Sequence, residues 1–155
     1  GEMALLENKP RSASAIAHSD CRLMVVNHDN FNQMVTTQPQ LISRLTTTLA
    51  ERLWSMYRQL DNANLKDPYQ KMIDMTSLQL EKQRIRVEKL TSKAMQTDLT
   101  PKDIANMCGI PTEAQPKAIY DFSASPHLKL VDNKIYIKDI PELLKQAEFY
   151  RKQSN

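Results

Sequence analysis

Glycine is nearly absent from this chain: 155 residues hold two, Gly1 and Gly109, against eight prolines and eight methionines. Chains of tight hairpins draw on glycine for positive-φ turns, so this composition points to helices joined at proline-marked breaks. Cysteine is equally scarce. Cys21 and Cys108 lie far apart without metal-ligand spacing, and His18, His28 and His127 are as scattered, so no metal site is expected. Two isolated thiols behave as small apolar residues and fit a reducing cytoplasm, which is the expected location. No apolar run approaches membrane-spanning length and none reads as a signal peptide, so no membrane partner is expected. Neither sign of charge dominates. Twenty-one Lys and Arg against 18 Asp and Glu leave +3, a balance that permits nucleic-acid contact without demanding it. No nucleophile–base pair or metal cluster is visible, so no catalytic residues are expected and the chain is not read as an enzyme.

What the chain does contain is concentrated at its start, in Gly1-Glu-Met-Ala-Leu-Leu-Glu-Asn-Lys-Pro-Arg-Ser-Ala13. Gly1 lets backbone approach a ligand closely, and Met3 to Leu6 favour a helical turn whose first N–H groups lack partners. Such an end attracts anions, and Glu2 beside it offers a carboxylate suited to ribose hydroxyls. Pro10 stiffens the exit, Arg11 supplies a planar and permanently charged fork for phosphate oxygens, and Ser12 adds a hydroxyl donor. An amphipathic turn followed by a surface Pro-Arg would contain similar residues.

This run resembles the phosphate-binding cassette of cyclic nucleotide-binding domains: Gly-Glu, a few apolar residues, a short gap, then Pro-Arg and a small residue. The resemblance implies that Glu2 binds the ribose 2′-hydroxyl and Arg11 the cyclic phosphate, with Gly1 and Ser12 completing the cassette. Cyclic AMP is the expected ligand and cyclic GMP the alternative, since Ser12 suits both. In that family β-strands precede the cassette glycine and form the first half of a β-roll. Their absence here leads to the expectation that this is the C-terminal part of a longer protein.

Further along, Ala13 to Ala17 and Cys21 to Val26 alternate small or β-branched residues and predict two short strands around a turn at His18 to Asp20. Asn27 to Asn30 carries N-cap residues, after which Phe31, Met34 and Val35 share one helical face. Beyond Pro39, Ile42, Leu45, Leu49, Leu53, Met56 and Leu60 recur at steps of three and four, as in a long helix with one apolar seam. Cassette, strands, short helix and long helix follow the order seen in the catabolite-activator (Crp) and Fnr group. That resemblance implies a homodimer through the long helix, whose Trp54, Met56 and Tyr57 would cover the base. A helix buried against its own domain would show the same seam.

Asp61 to Asn64 weakens the helical pattern, and Asp67-Pro68 reads as a new N-cap, so domains are expected at 1–62 and 67–155. From Tyr69 a second long helix carries Ile73, Leu80, Val87 and Ala94 on one side. Lys82, Arg86, Lys89 and Lys93 form a basic stripe on another, either solvated or touching phosphates. Thr100-Pro-Lys-Asp103 opens a short helix ending near Cys108-Gly109, and Pro111-Thr112 opens another running towards Phe122. Leu128 to Val131 and Lys134 to Lys138 alternate about Asp132-Asn133 as a hairpin, and a last helix covers Pro141 to Arg151.

Leu99 to Ile110, Leu-Thr-x-x-Asp-Ile-Ala-x-x-x-Gly-Ile, resembles the first helix and turn of the Crp/Fnr winged-helix (helix-turn-helix) domain. The whole is therefore expected to be α+β: the C-terminal part of a β-roll, a long dimerisation helix and a winged helix. The implied function is a cyclic-nucleotide-responsive transcription regulator. The chemistry of the second helix runs against tight DNA reading. Thr100 to Pro126 holds two Lys against three acids, Asp103, Glu113 and Asp121, and phosphates repel such a surface. Gln115 and Lys117 remain as base-side candidates, and Lys129 and Lys134 of the hairpin as backbone contacts, so weak DNA contact is expected. The alternative is a cyclic nucleotide-sensing adaptor whose winged-helix domain binds a protein.

Overall fold

The computed structural model describes residues 2–86 and 94–154, and its α+β elements fall into two compact units, 1–52 and 53–155. Gly1, Val87, Lys89 and Lys93 lie outside the described residues, as do the side chains of Glu2 and Arg86.

In the first unit, α1 (Glu2–Glu7) is the helical turn expected over the cassette. It ends on Asn8, whose φ of 51° is left-handed, and the Lys9 N–H closes back onto the Ala4 carbonyl at 3.1 Å. Asparagine tolerates that conformation at a helix C-terminus. α2 (His28–Thr37) starts at the expected cap, with Asn27 Oδ1 accepting from the Asn30 N–H at 2.8 Å. The two strands expected at 13–17 and 21–26 do not form. Alternation supplies a strand only when a neighbour completes its ladder, and Ile16, Leu23, Met24 and Val25 instead stand 78–91% exposed. None of this unit's described residues is buried.

α3 (Gln40–Asn64) runs through the stretch expected to weaken it. Its two buried residues, Arg58 and Asn62, are polar and lie in its last two turns. Their contacts with the next helix accompany a unit division at Arg52 and Leu53, ahead of the boundary expected between residues 62 and 67.

The second unit is built on α4 (Pro68–Arg86), buried on every side from Met72 to Leu78. α7 (Ile140–Ser154), α6 (Gln115–Ser123) and α5 (Pro101–Met107) pack against it. A sheet closes the core, with β3 (Lys134–Ile137) between β2 (Leu128–Val131) and β1 (Met95–Gln96), all antiparallel. Ile73, Leu78, Ile104, Phe122, Ile135, Ile137 and Leu143 are fully enclosed. α5 starts at a complete capping box between Thr100 and Asp103, which satisfies the backbone N–H groups of both residues reciprocally. Gly109 follows α5 at φ +64°, the left-handed turn its position suggested. Asp132 and Asn133 both take positive φ, the two-residue turn that matches strand twist. One boundary moves: residues 111–114 form a turn, and α6 starts at Gln115 with Pro116 in its first turn. Proline suits that position because its missing N–H would be unpaired there anyway. β1 has no counterpart in the sequence reading, being two residues long and dependent on β3.

Candidate nucleotide and nucleic-acid sites

The Schellman-type closure after α1 directs the chain into Pro10 and Arg11. Both line two open concavities of about 520 and 600 Å³, with Ala4 and Lys9 shared between them. Those volumes fall within the roughly 300–1,000 Å³ of small-molecule sites. Met24, Val26 and His28 complete the first, and Ser12 lines the second. Arg11 and Ser12 are exposed, and Lys9 pairs with Glu7 at 3.0 Å. The structure thus groups Arg11 with Ser12. Gly1 and the Glu2 side chain, the expected sugar contacts, lie outside what it describes.

Trp54, Met56 and Tyr57 belong to the second unit and are 42%, 61% and 61% exposed. Around the helix from Trp54, Arg58 is held in a buried cluster that sequence reading missed. Its guanidinium carbon lies 5.8 Å over the Trp54 ring, and its Nη2 donates to Asp74 Oδ1 at 3.2 Å. Asp74 has no solvent exposure. It also accepts from Asn62 at 3.0 Å and from Arg151 Nη1 at 2.5 Å. The signal for Asp74 was an acid between Ile73 and Met75 in an apolar stretch, since a carboxylate there needs cationic partners. Those partners are 16 and 77 residues away, beyond the reach of local pattern.

The basic residues of the second unit are largely engaged. Lys134 pairs with Asp98 at 2.8 Å, which raises the lysine pKa and lowers that of the aspartate. The Lys129 ammonium sits 4.3 Å over the Tyr136 ring, and Lys138 donates to the Pro126 carbonyl at 3.1 Å. Gln115 is turned inward: its amide nitrogen donates to Asn106 Oδ1 and to the Ile110 carbonyl, both at 3.0 Å. It therefore ties α6 to the preceding turn, while Lys117 and Tyr120 stand exposed on the helix. Lys82 is half-buried, leaving the basic stripe without a described continuation. Cys108 is half-buried, and burial pushes its thiol up to about 12, so it stays protonated and unreactive. Among the described residues no His, Cys, Asp or Glu group could hold a metal, and no helix is long and apolar enough to cross a membrane.

Residues 1–38 match the cyclic nucleotide-binding domain family. The CRP-like cAMP-activated global transcriptional regulator of Mycobacterium tuberculosis is 25% identical over 147 residues, covering 95% of this chain and 65% of that protein. The chain is thus similar along most of its length to a CRP-like regulator. The cAMP-activated global transcriptional regulator CRP of Pasteurella multocida is 31% identical over 115 residues, covering 73% of this chain and 53% of that protein. This chain therefore spans between about half and two thirds of the length of these curated relatives. Their similarity reaches beyond the cassette and into the second unit.

Proposed function

We propose that this chain is the nucleotide-holding and DNA-contacting part of a dimeric, cyclic-AMP-responsive transcription regulator working in the cytoplasm. The carrying observation is that a single alignment to a cAMP-activated regulator covers 95% of the chain, cassette and second unit together. In this reading Arg11 meets the cyclic phosphate, Glu2 the ribose, and Gly1 and Ser12 close around them. Trp54, Met56 and Tyr57 cover the base. Residues 1–62 form the nucleotide-binding part, and 67–155 a winged-helix domain in which α5 and α6 are the helix-turn-helix and β2–β3 the wing.

α3 pairs with its twin through Ile42, Leu45, Leu49, Leu53, Met56 and Leu60, of which Ile42, Leu53, Met56 and Leu60 are 40–61% exposed within one chain. An isologous pairing covers such a face twice over. DNA contact is weak and electrostatic, carried by Lys129 and Lys134 of the wing with Lys117 on α6. Gln115 serves the turn, because its amide is already spent on Asn106 and Ile110. The chain catalyses nothing in this account.

Calorimetric titration with cyclic AMP tests the reading. Arg11→Ala removes one member of a charge pair, which costs roughly 2–5 kcal/mol when that pair is desolvated, so affinity should fall more than tenfold. Unchanged affinity would show that the cassette does not hold the phosphate. Tighter cyclic GMP in competition would reassign the base.

A further inference from the structure

The Arg58 cluster lies outside every role assigned so far, and its geometry points to one. We propose that Arg58 is a positioning residue for the nucleotide site, holding Trp54 in place, and that the C-terminal helix α7 sets its position through Asp74. This rests on the reading above that Trp54 covers the base.

Trp54 and Arg58 are one turn apart on α3, so their side chains share a face. The guanidinium lies over the indole at 5.8 Å, a cation–π contact that favours one placement of the ring. Arg58 is itself 8% exposed and has little freedom. Its Nη2 reaches Asp74 at 3.2 Å and Ser77 Oγ at 3.4 Å, and its Nε lies 3.6 Å from Glu81. Asp74 Oδ1 is shared with Arg151 of α7, and Asp74 Oδ2 with Asn62 of α3. One buried carboxylate thus joins α3, α4 and α7. The ring above Arg58 remains 42% exposed, open to a ligand while its base is fixed. A base stacked on Trp54 and the docking of α7 then bias the same guanidinium, so each alters the free energy of the other.

The test uses the full chain and cyclic AMP. Trp54 is the sole tryptophan, so its emission reports the ring directly, before and after nucleotide. Arg58→Lys keeps the charge but loses the planar fork, and Asp74→Asn touches neither Trp54 nor ligand. Both should shift the ligand-free emission of Trp54 and weaken cyclic AMP binding at least about fivefold, the lower end of ordinary coupling between sites. A merely structural cluster would lower the melting temperature and leave affinity and emission of the folded protein unchanged; that result overturns the proposal. Should Asp74→Asn not fold, Arg58→Lys decides by the same two readings. Arg11→Ala separates the two levels. If it abolishes binding while Arg58→Lys changes nothing, positioning alone fails. If wild-type protein does not bind cyclic AMP, both readings fall.

Discussion

Replacing Lys129 and Lys134 together with Ala should flatten the salt dependence of DNA binding. Each phosphate contact contributes about 0.9 to the slope of log affinity against log salt. Two lost contacts therefore remove about 1.8 from it. Between 50 and 200 mM salt one contact is worth about 3.5-fold and two about 12-fold, so wild type should lose about 12-fold more affinity over that range than the double variant. The structure adds a refinement. Lys134 is held by Asp98 at 2.8 Å on an exposed surface, and Lys129 lies over Tyr136. Asp98→Asn releases Lys134 and removes a negative charge, so it should strengthen binding. Gln115→Ala should instead cost about 1 kcal/mol of stability through its lost hydrogen bonds and leave the salt slope alone. Fluorescence anisotropy on a labelled duplex at four salt concentrations measures all three. Equal slopes for wild type and the lysine double variant would refute the wing as the phosphate contact. Sequence-specific binding lost on Gln115→Ala would restore α6 as an ordinary reading helix.

Leu49→Glu with Leu53→Glu should yield a monomer by sedimentation, because two charges cannot be buried in a paired apolar seam; a wild type already monomeric at micromolar concentration would remove the premise. Thr100→Ala should destabilise the second unit by about 1 kcal/mol through loss of the α5 cap, read by urea unfolding. Asp103 has its pKa lowered chiefly by hydrogen bonds from the Thr100 backbone and hydroxyl. Its stabilisation is therefore present above the ordinary carboxylate range and lost as pH falls through the lower folded value. Asp103→Asn should then be weaker than wild type near neutrality and converge with it in acid. Phe122→Ala, at a fully buried site, should cost about 3–5 kcal/mol, and an unchanged urea midpoint would contradict the core described for the second unit.

Local chemistry determined much of this protein. Asn27, Thr100 with Asp103, Gly109 and the Asp132-Asn133 pair each specify a cap or turn from neighbouring atoms alone, and all appear where the residues called for them. The proline-marked breaks and the long α3 follow the same logic. Pro111-Thr112 reads as a helix start, yet α6 begins four residues later at Gln115, with Pro116 in its first turn instead of its interior. The cassette spacing, too, is a property of thirteen consecutive residues. Tertiary structure alone decided the rest. Residues 13–26 have strand-like alternation but no strand, because pairing requires a partner that local sequence does not supply. β1 exists because β3 offers it an edge. Lys134 and Gln115 appeared as free contact groups until Asp98, Asn106 and Ile110 were brought beside them. Asp74 sits buried among apolar residues because the fold delivers Arg58 and Arg151 to it, since a buried carboxylate is tolerable only where distant parts of the chain bring it cations.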